Sequence, residues 1–265
     1  AYIAAVLFLF IFLINKIPLW SSDEGRFGEK AREMLELKDF IVPHFNYIPY
    51  IEKPMLAYWS TALAYSLFGV HNWSTRLTSV VCSLLGILLC WWFVRRLFNQ
   101  KTADWAAVLL ATSIGYVLVG RFAVIDMLMT LLMSGAIFCL MTACLQQRRR
   151  YYLLAYVFMG FTFLAKGLIG MLLPGLVFFV FLIWTKNLKE IMKMHLGWGI
   201  LIVAVITLPW CIAISLKRPE FFNVFIVQNH FSRFGGSFGR KRPLWFFIPI
   251  LISTAFPWSF FLPPA

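Results

Sequence analysis

Apolar stretches of about the length of a membrane helix recur along the chain and are separated by short polar segments. The predicted spans are 2–15, 75–94, 103–119, 123–145, 151–165, 168–185, 197–215 and 244–262. A backbone inside a bilayer must satisfy its own hydrogen bonds, and a helix of about 20 residues does so while crossing the hydrocarbon. The pattern therefore predicts an all-α polytopic membrane protein.

One further apolar segment, residues 55–69, is short and carries Ser, Thr and two Tyr. It fits either a span or a helix lying along the interface. With an interfacial helix, the basic loops 95–101, 146–150 and 186–195 share one side, and the acid-rich loop falls on the other. Because cytoplasmic loops are enriched in Lys and Arg, we favour the interfacial interpretation.

This topology places two long loops, 16–74 and 216–243, on the outer face. The second loop is strongly basic, with Glu220 as its single acid. Long loops cross the membrane regardless of charge, so this excess is compatible with no function at all. Alternatively, the loop binds an anionic group such as a phosphate.

The composition supports a membrane protein and argues against a nucleic-acid-binding protein. The chain is 61% hydrophobic and 13% charged, with a net charge of +13. The basic residues lie in short loops, and no recognition helix or zinc-finger pattern is present, so nucleic acid is not an expected partner. All five cysteines lie in apolar segments, which is typical of small buried side chains.

The first outer loop opens with a dense charged stretch at residues 21–36. Ser21 and Glu24 have capping-box spacing, and Phe27, Ala31 and Met34 recur on one side, so the stretch predicts an amphipathic helix. Acids in its first turn complement the helix dipole, which is the simplest interpretation of Glu24 and its neighbour Asp23.

Two acids and a lysine in the next segments are candidates for chemistry. Pro54 favours an extended Lys53, so Glu52 and Lys53 lie at a bend near the membrane surface, where a lysine can meet a lipid phosphate. Asp126 lies at or just inside a span, where an acid is costly and a partner is expected. Arg121 is the candidate partner, and Lys166 is assigned to a short outer turn.

The second outer loop brings two further candidates together. Pro219 suits a helix start and Gly235 a helix end, so His230 and Arg233 share a helix face. A lone histidine is more often a structural or exposed group than a ligand. Its basic neighbour and its position on the outer side favour a functional role.

The motifs now form a recognisable series. "DEGRFGEKAREML", "VPHFNYIPYIEKPMLAYW", "FGVHNWSTRL", "RFAVIDM", "AKGLIGMLLPG" and "QNHFSRFGG" with "RKRPLWFFIPIL" follow in this order. Together they resemble the membrane glycosyltransferases that use polyprenyl-phosphate sugars. The branch that they resemble most is that of the bacterial lipid A 4-amino-4-deoxy-L-arabinose transferases, which are similar to protein O-mannosyltransferases.

That resemblance implies a GT-C fold in the bacterial inner membrane, with interfacial helices in the first outer loop and an active site on the periplasmic side. It implies inverting transfer of a sugar from a polyprenyl-phosphate donor to lipid A or a related envelope lipid. A protein hydroxyl or another envelope glycan is the alternative acceptor. A lipid-binding or transport protein is a third possibility, against which the lack of internal repeats argues.

The resemblance also implies roles for individual residues. Asp23 corresponds to the catalytic acid of the first loop, and Asp126 to a second acid that supports the cavity. The donor-phosphate contacts would be Arg26, Lys53 and Arg233. In this branch a metal accompanies the donor phosphate, which makes Glu52 and His230 expected zinc ligands; no nucleotide cofactor is expected.

The resemblance finally implies a domain organisation. Residues 1–265 correspond to the N-terminal transmembrane catalytic region of such enzymes. Further spans and a soluble C-terminal domain are expected beyond it, and we expect residues 1–265 by themselves to be inactive.

Overall fold

The computed structural model describes residues 2–20, 22–225, 227 and 243–261. Helices dominate this part of the chain, and a two-residue antiparallel β-hairpin is its one sheet. The α-helices are α1 (Tyr2–Ile11), α2 (Ser22–Leu37), α3 (Leu56–Phe68), α4 (Asn72–Leu97), α5 (Gln100–Thr112), α6 (Ile114–Arg121), α7 (Ile125–Leu145), α8 (Arg150–Lys166), α9 (Leu168–Trp184), α10 (Leu196–Lys217) and α11 (Phe247–Thr254). The strands are β1 (His44–Phe45) and β2 (Ile48–Pro49).

Three of these helices, α4, α7 and α10, are long and apolar enough to cross a membrane. The predicted spans at 151–165 and 168–185 are the 17-residue helices α8 and α9. The first predicted span is helical only over Tyr2–Ile11 and continues in turns. The sequence therefore located these apolar helices correctly, but α4, α8 and α10 are longer than the predicted spans and α1 is shorter.

The predicted span 103–119 differs from the structure, because it is divided into α5 and α6. The two helices meet at an angle of 60°. The break occurs at Ser113, whose backbone is extended (φ −67°, ψ 124°). The amide of Ile114, which a continuous helix would bond internally, instead donates to the carbonyl oxygen of Phe256 at 2.9 Å. A partner distant in sequence thus satisfies the interrupted helix.

The predicted span 244–262 is also not one helix. A 3₁₀ turn, Leu244–Phe246, leads into the short α11, and a second 3₁₀ turn follows at Trp258–Phe261. Pro257 lies between the last two segments and lacks the backbone N–H that a continuing helix would need.

Helices α4 to α10 form an antiparallel bundle, in which α7 and α8 make an extensive hairpin with α9 and α10 packed against α8. At one end of the bundle α4 and α7 begin and α8 and α10 end. Segment 22–68 covers this end: Glu24 on α2 contacts Arg76 on α4, and Trp210 on α10 donates its indole N–H to the carbonyl oxygen of Ile41. We call this end the outer end, in keeping with the charge distribution of the loops.

The covering layer consists of α2, the hairpin and α3. As predicted, α2 is amphipathic, and its residues Phe27, Ala31 and Met34 are buried in the core that α3 and α7 share. Helix α3 has 13 residues and is therefore about 20 Å long, too short for a hydrocarbon core about 30 Å thick. This length agrees with the interfacial interpretation of residues 55–69.

The opposite end of the bundle is closed by a separate polar cluster. Glu190, in a 3₁₀ turn at Leu188–Lys193, is 2% exposed. Its carboxylate accepts hydrogen bonds from Tyr152 Oη at 2.9 Å and Lys193 Nζ at 2.8 Å. Gln147 Nε2 lies 3.5 Å from both carboxylate oxygens. This cluster joins the loop to α7 and α8 far from the outer layer.

Candidate active site

A buried ion pair fixes α2 on the outer end of the bundle. Arg76, near the start of α4, donates from Nε and Nη2 to the Glu24 carboxylate at 2.8 and 3.0 Å. Its remaining donors reach the carbonyl oxygens of Ile14, Ile17 and Pro18 at 2.8 to 2.9 Å. Arg76 therefore ties α2 to the chain segment that follows α1.

Glu24 also accepts two backbone hydrogen bonds, from Ala123 at 2.8 Å and from Trp20 at 2.9 Å. Burial by itself raises the pKa of Glu24, but the hydrogen bonds from Arg76 and the two amides outweigh it and the net pKa is lowered. Glu24 lies in the first turn of α2, as the helix-dipole interpretation requires, but its carboxylate is also fully buried and joins three segments, which the sequence did not predict. Ser21, its predicted capping partner, lies outside the described residues.

The neighbours of Glu24 point to the opposite side. Asp23 and Arg26 are exposed on α2, while Glu24 and Phe27 face inward. Successive side chains of an α-helix point about 100° apart, so Asp23 faces outward while the fixed carboxylate of Glu24 beside it faces inward. The contacts of Glu24 thereby also hold the backbone of Asp23 in place. Gly28 permits this close packing, because a Cβ there would lie 2.8 Å from the Tyr65 hydroxyl.

The β-hairpin positions the second pair of predicted site residues, Glu52 and Lys53, which follow it in the chain. Asn46 and Tyr47 both have positive φ angles, 53° and 62°, as a tight hairpin turn requires. The Tyr47 amide donates to Glu33 Oε2 on α2 at 3.0 Å, which holds the turn against the helix. Beyond the hairpin, Tyr50 Oη donates to Glu52 Oε2 at 2.9 Å, and the neighbouring Lys53 has its Nζ 5.6 Å from the Phe27 ring centroid.

Lys30 lies at the centre of these groups, although sequence reasoning did not single it out. Its side chain is 3% exposed. Burial and the nearby charge of Lys53 lower its pKa to about 8; Arg26 adds to this effect, while Glu52 and Asp23 oppose it. These four electrostatic neighbours are the first-loop residues that the resemblance marks as functional. A signal was present in the spacing, because Lys30 is on the same helix face as the apolar positions 27, 31 and 34.

Asp126 lies at the same end, in the first turn of α7, with 53% of its side chain exposed. Its carboxylate contacts Lys166 Nζ at 2.5 Å, across the α7–α8 hairpin. The predicted partner, Arg121, was wrong: its guanidinium instead donates to the carbonyl oxygens of Leu9 and Phe12. Lys166 does lie at a short turn, as predicted, and it is the cation that pairs with the acid.

Two predicted site residues, His230 and Arg233, lie outside the described residues. Their proximity to Glu52 is therefore not part of the observed geometry. In the described part of the chain, no three His, Cys, Asp or Glu side chains come together as a metal site would require. Of the two predicted zinc ligands, only Glu52 therefore lies among the described residues.

A bundle of apolar helices carries, on one end, an interfacial layer in which an exposed acid adjoins several cations. The sequence of residues 52–212 matches the family described as "Dolichyl-phosphate-mannose-protein mannosyltransferase". The chain belongs to this family, whose members have the GT-C membrane fold.

Relatives with an assigned activity match nearly the whole chain. The chain is 34% identical to an undecaprenyl phosphate-alpha-4-amino-4-deoxy-L-arabinose arabinosyl transferase of Shewanella sediminis, over 99% of this chain and 50% of the relative. It is 31% identical to the transferase of the same name from Aeromonas hydrophila, over 98% of this chain and 48% of the relative. The chain thus spans about half the length of the relatives that it matches.

Solved structures agree with the sequence comparison. The crystal structure of ArnT from Cupriavidus metallidurans bound to undecaprenyl phosphate superposes with a TM-score of 0.94 at 29% identity, covering 99% of this chain and 49% of that one. The apo form of the same protein gives a TM-score of 0.90. The all-α GT-C prediction is therefore confirmed, and the chain is a multi-pass protein of the bacterial inner membrane.

Proposed function

We propose that the full-length protein is a glycosyltransferase that moves a sugar from a polyprenyl-phosphate donor to an acceptor outside the cytoplasm. The observation that carries this proposal is the grouping of Asp23, Arg26, Glu52 and Lys53 around Lys30 on the outer layer. An anionic lipid headgroup at the membrane surface would contact the cations Arg26 and Lys53 there, next to the exposed acid Asp23. Similarity to transferases whose names specify undecaprenyl phosphate supports this class of donor.

In the proposed reaction, the acceptor hydroxyl attacks the anomeric carbon and the lipid phosphate leaves. Asp23 would take the proton of the attacking hydroxyl, because it is exposed while its neighbour Glu24 is fixed in the interior. Negative charge develops on the leaving phosphate, and Arg26 and Lys53 would stabilise it together with Arg233. Attack opposite to the leaving group inverts the anomeric centre.

Asp126 has a different proposed role. Its carboxylate is paired with Lys166 and is therefore less available as a base than Asp23. We propose that it supports the cavity of the active site without taking a direct part in the reaction. Lys166 would orient it, as a cation 2.5 Å away restricts the rotation of a carboxylate.

A metal near the donor phosphate is a further part of the proposal. Glu52 and His230 would hold a zinc ion, and such an ion would supply additional positive charge against the lipid phosphate. Metal analysis of the purified full-length protein, with Glu52→Gln as the comparison, tests this assignment. Zinc retained in full by Glu52→Gln would remove Glu52 as a ligand.

The proposed acceptor is lipid A or a related envelope lipid, as in the relatives named for aminoarabinose transfer. A protein hydroxyl is the second candidate, which the match to the protein mannosyltransferase family favours. Residues 1–265 would form the transmembrane catalytic region. Because they correspond to half of each relative, we infer that activity also requires the other half.

Reconstitution of the full-length protein tests the function. Liposomes containing the protein are supplied with radiolabelled polyprenyl-phosphate sugars, with lipid A in one set and acceptor peptides in the other. Label appearing in lipid A is the expected result, and label in peptide alone would move the assignment to protein glycosylation. Absence of transfer with every pairing would contradict the proposed activity.

A further inference from the structure

A lysine buried on an interfacial helix needs a physical reason, because a charge removed from water is costly unless it is compensated. Lys30 is 3% exposed, yet in the described part of the chain it forms no ion pair. Its compensation is aromatic. The ammonium lies 3.4 Å from the Tyr50 ring centroid, 5.5 Å from that of Phe45 and 5.4 Å from that of Tyr58.

This cage joins three segments of the outer layer. Lys30 belongs to α2, Phe45 and Tyr50 belong to the hairpin and its exit, and Tyr58 belongs to α3. Tyr58 is fully buried, and its hydroxyl lies 3.5 Å from Lys30 Nζ. The ammonium of Lys30 therefore contacts the Tyr58 hydroxyl and lies over the face of the Tyr50 ring.

The Tyr50 ring connects the cage to the proposed donor site. Its hydroxyl donates to the Glu52 carboxylate at 2.9 Å, and Lys53 follows directly in the chain. The orientation of the Tyr50 ring thus determines where its hydroxyl holds Glu52. A cation on the ring face fixes this orientation, since cation–π attraction weakens as the ring turns edge-on.

We propose that Lys30 is a positioning residue of the donor-phosphate site, which holds the Tyr50 ring and, through its hydroxyl, the Glu52 carboxylate next to Lys53. The inference rests on the proposed function, because it assigns Lys30 to the site at which a polyprenyl phosphate binds. The charge of Lys30 also adds to those of Lys53 and Arg26 and makes the surroundings of the phosphate more positive.

Stability distinguishes this role from a purely structural one. The depressed pKa of Lys30 means that the folded protein disfavours its charged form relative to water. Replacing Lys30 by an apolar residue of similar length should therefore leave the melting temperature unchanged or raise it. A residue kept only for packing would lower the melting temperature when replaced.

The experiment measures binding of undecaprenyl phosphate to the full-length protein in nanodiscs. Lys30→Met should weaken binding about tenfold, in the range expected for a desolvated cation–π contact. Lys16→Met is the matched control, because it removes one exposed lysine from the same outer loop and should bind like wild type. Lys30→Gln repeats the measurement without the charge if the Met variant does not fold.

A double-mutant cycle tests whether Lys30 acts through Tyr50. Tyr50→Phe keeps the ring but removes the hydroxyl that reaches Glu52. The combined variant should therefore weaken binding less than the product of the two single effects. Multiplicative effects would overturn the link through Tyr50, and unchanged binding by both Lys30 variants would overturn the inference. Wild-type protein that binds no polyprenyl phosphate would instead overturn the proposed function, and the inference with it.

Discussion

Arg76 and Glu24 are 52 positions apart in the chain and form a two-pronged ion pair at 2.8 and 3.0 Å, with side-chain exposures of 2% and 0%. The pair joins the start of α4 to the first turn of α2. The exposed Asp23 is adjacent to the anchored carboxylate. The position of the proposed base is therefore set by a contact in which it takes no part.

Breaking this pair should destabilise the protein strongly. Arg76→Met would leave Glu24 buried without its cation, which typically costs about 3 to 5 kcal/mol. The measurement is thermal unfolding in detergent, followed by tryptophan fluorescence. Arg32→Met is the control, since Arg32 pairs with Glu29 and Glu36 on the surface and should change stability by less than about 1 kcal/mol. Equal effects of the two variants would contradict the assigned role of Arg76.

The Asp126–Lys166 contact predicts an effect on activity with little effect on stability. Both side chains are more than a third exposed, so Lys166→Met should alter the free energy of unfolding by less than about 1 kcal/mol. Transfer should nevertheless fall, because Asp126 loses the cation that orients it. Asp126→Asn combined with Lys166→Met should be non-additive, whereas Asp126→Asn combined with Arg121→Gln should be additive. The reverse pattern would restore Arg121 as the partner.

The Glu190 cluster predicts the opposite behaviour. Burial raises the pKa of Glu190, but the hydrogen bonds from Lys193, Tyr152 and Gln147 prevail and the net pKa is lowered. Its contribution to stability is therefore present above the ordinary pKa of 4.5 and is lost as the pH falls through the lower pKa of the folded state.

Glu190→Gln should lower stability at pH 7 by about 1 to 3 kcal/mol, because buried donors lose a charged acceptor. Binding of undecaprenyl phosphate at a temperature where the variant is folded should equal that of wild type. A loss of binding in this variant would mean that the two ends of the bundle are coupled.

Lys30 predicts an alkaline limit on donor binding. Its pKa is about 8 in the folded protein against an ordinary value of 10.5, with Lys53 and Arg26 lowering it and Glu52 and Asp23 opposing them. Deprotonation above pH 8 removes the charge from the cage, so wild-type affinity should decline there. Over the same range the contribution of Lys30 to folding stability should rise, because the unfolded chain binds more protons than the folded one. Lys30→Met should show neither change, and an identical pH profile for both proteins would contradict this assignment.

The spacing of apolar residues and the charges of the loops were sufficient to predict the helices that carry the candidate site. The 3.6-residue spacing of Phe27, Ala31 and Met34 identified α2, and the separation of basic from acidic loops favoured an interfacial α3 at residues 55–69. The resemblance covered almost the whole chain, and the family and fold that it implied are confirmed. The site roles that it implied remain predictions.

Contacts between segments that are distant in sequence could not be predicted from the residues near each position. Asp126 was matched with the nearest cation in sequence, but the antiparallel α7–α8 hairpin brings Lys166, 40 positions away, to the same end. Glu24 resembled an ordinary acid in the first turn of a helix, because its partner Arg76 lies 52 positions further along the chain. The break at Ser113 was missed for a similar reason, since the carbonyl oxygen that stabilises it belongs to Phe256.

In the proposed mechanism, Asp23 performs the chemical step at a site where cations hold the lipid phosphate. The most direct measurement compares wild type and Asp23→Asn in the full-length protein, with single-turnover transfer and undecaprenyl phosphate binding recorded on the same preparation. The account predicts that Asp23→Asn binds like wild type and transfers at least about a hundredfold more slowly, as expected when a general base is removed. Transfer at the wild-type rate by Asp23→Asn would contradict it.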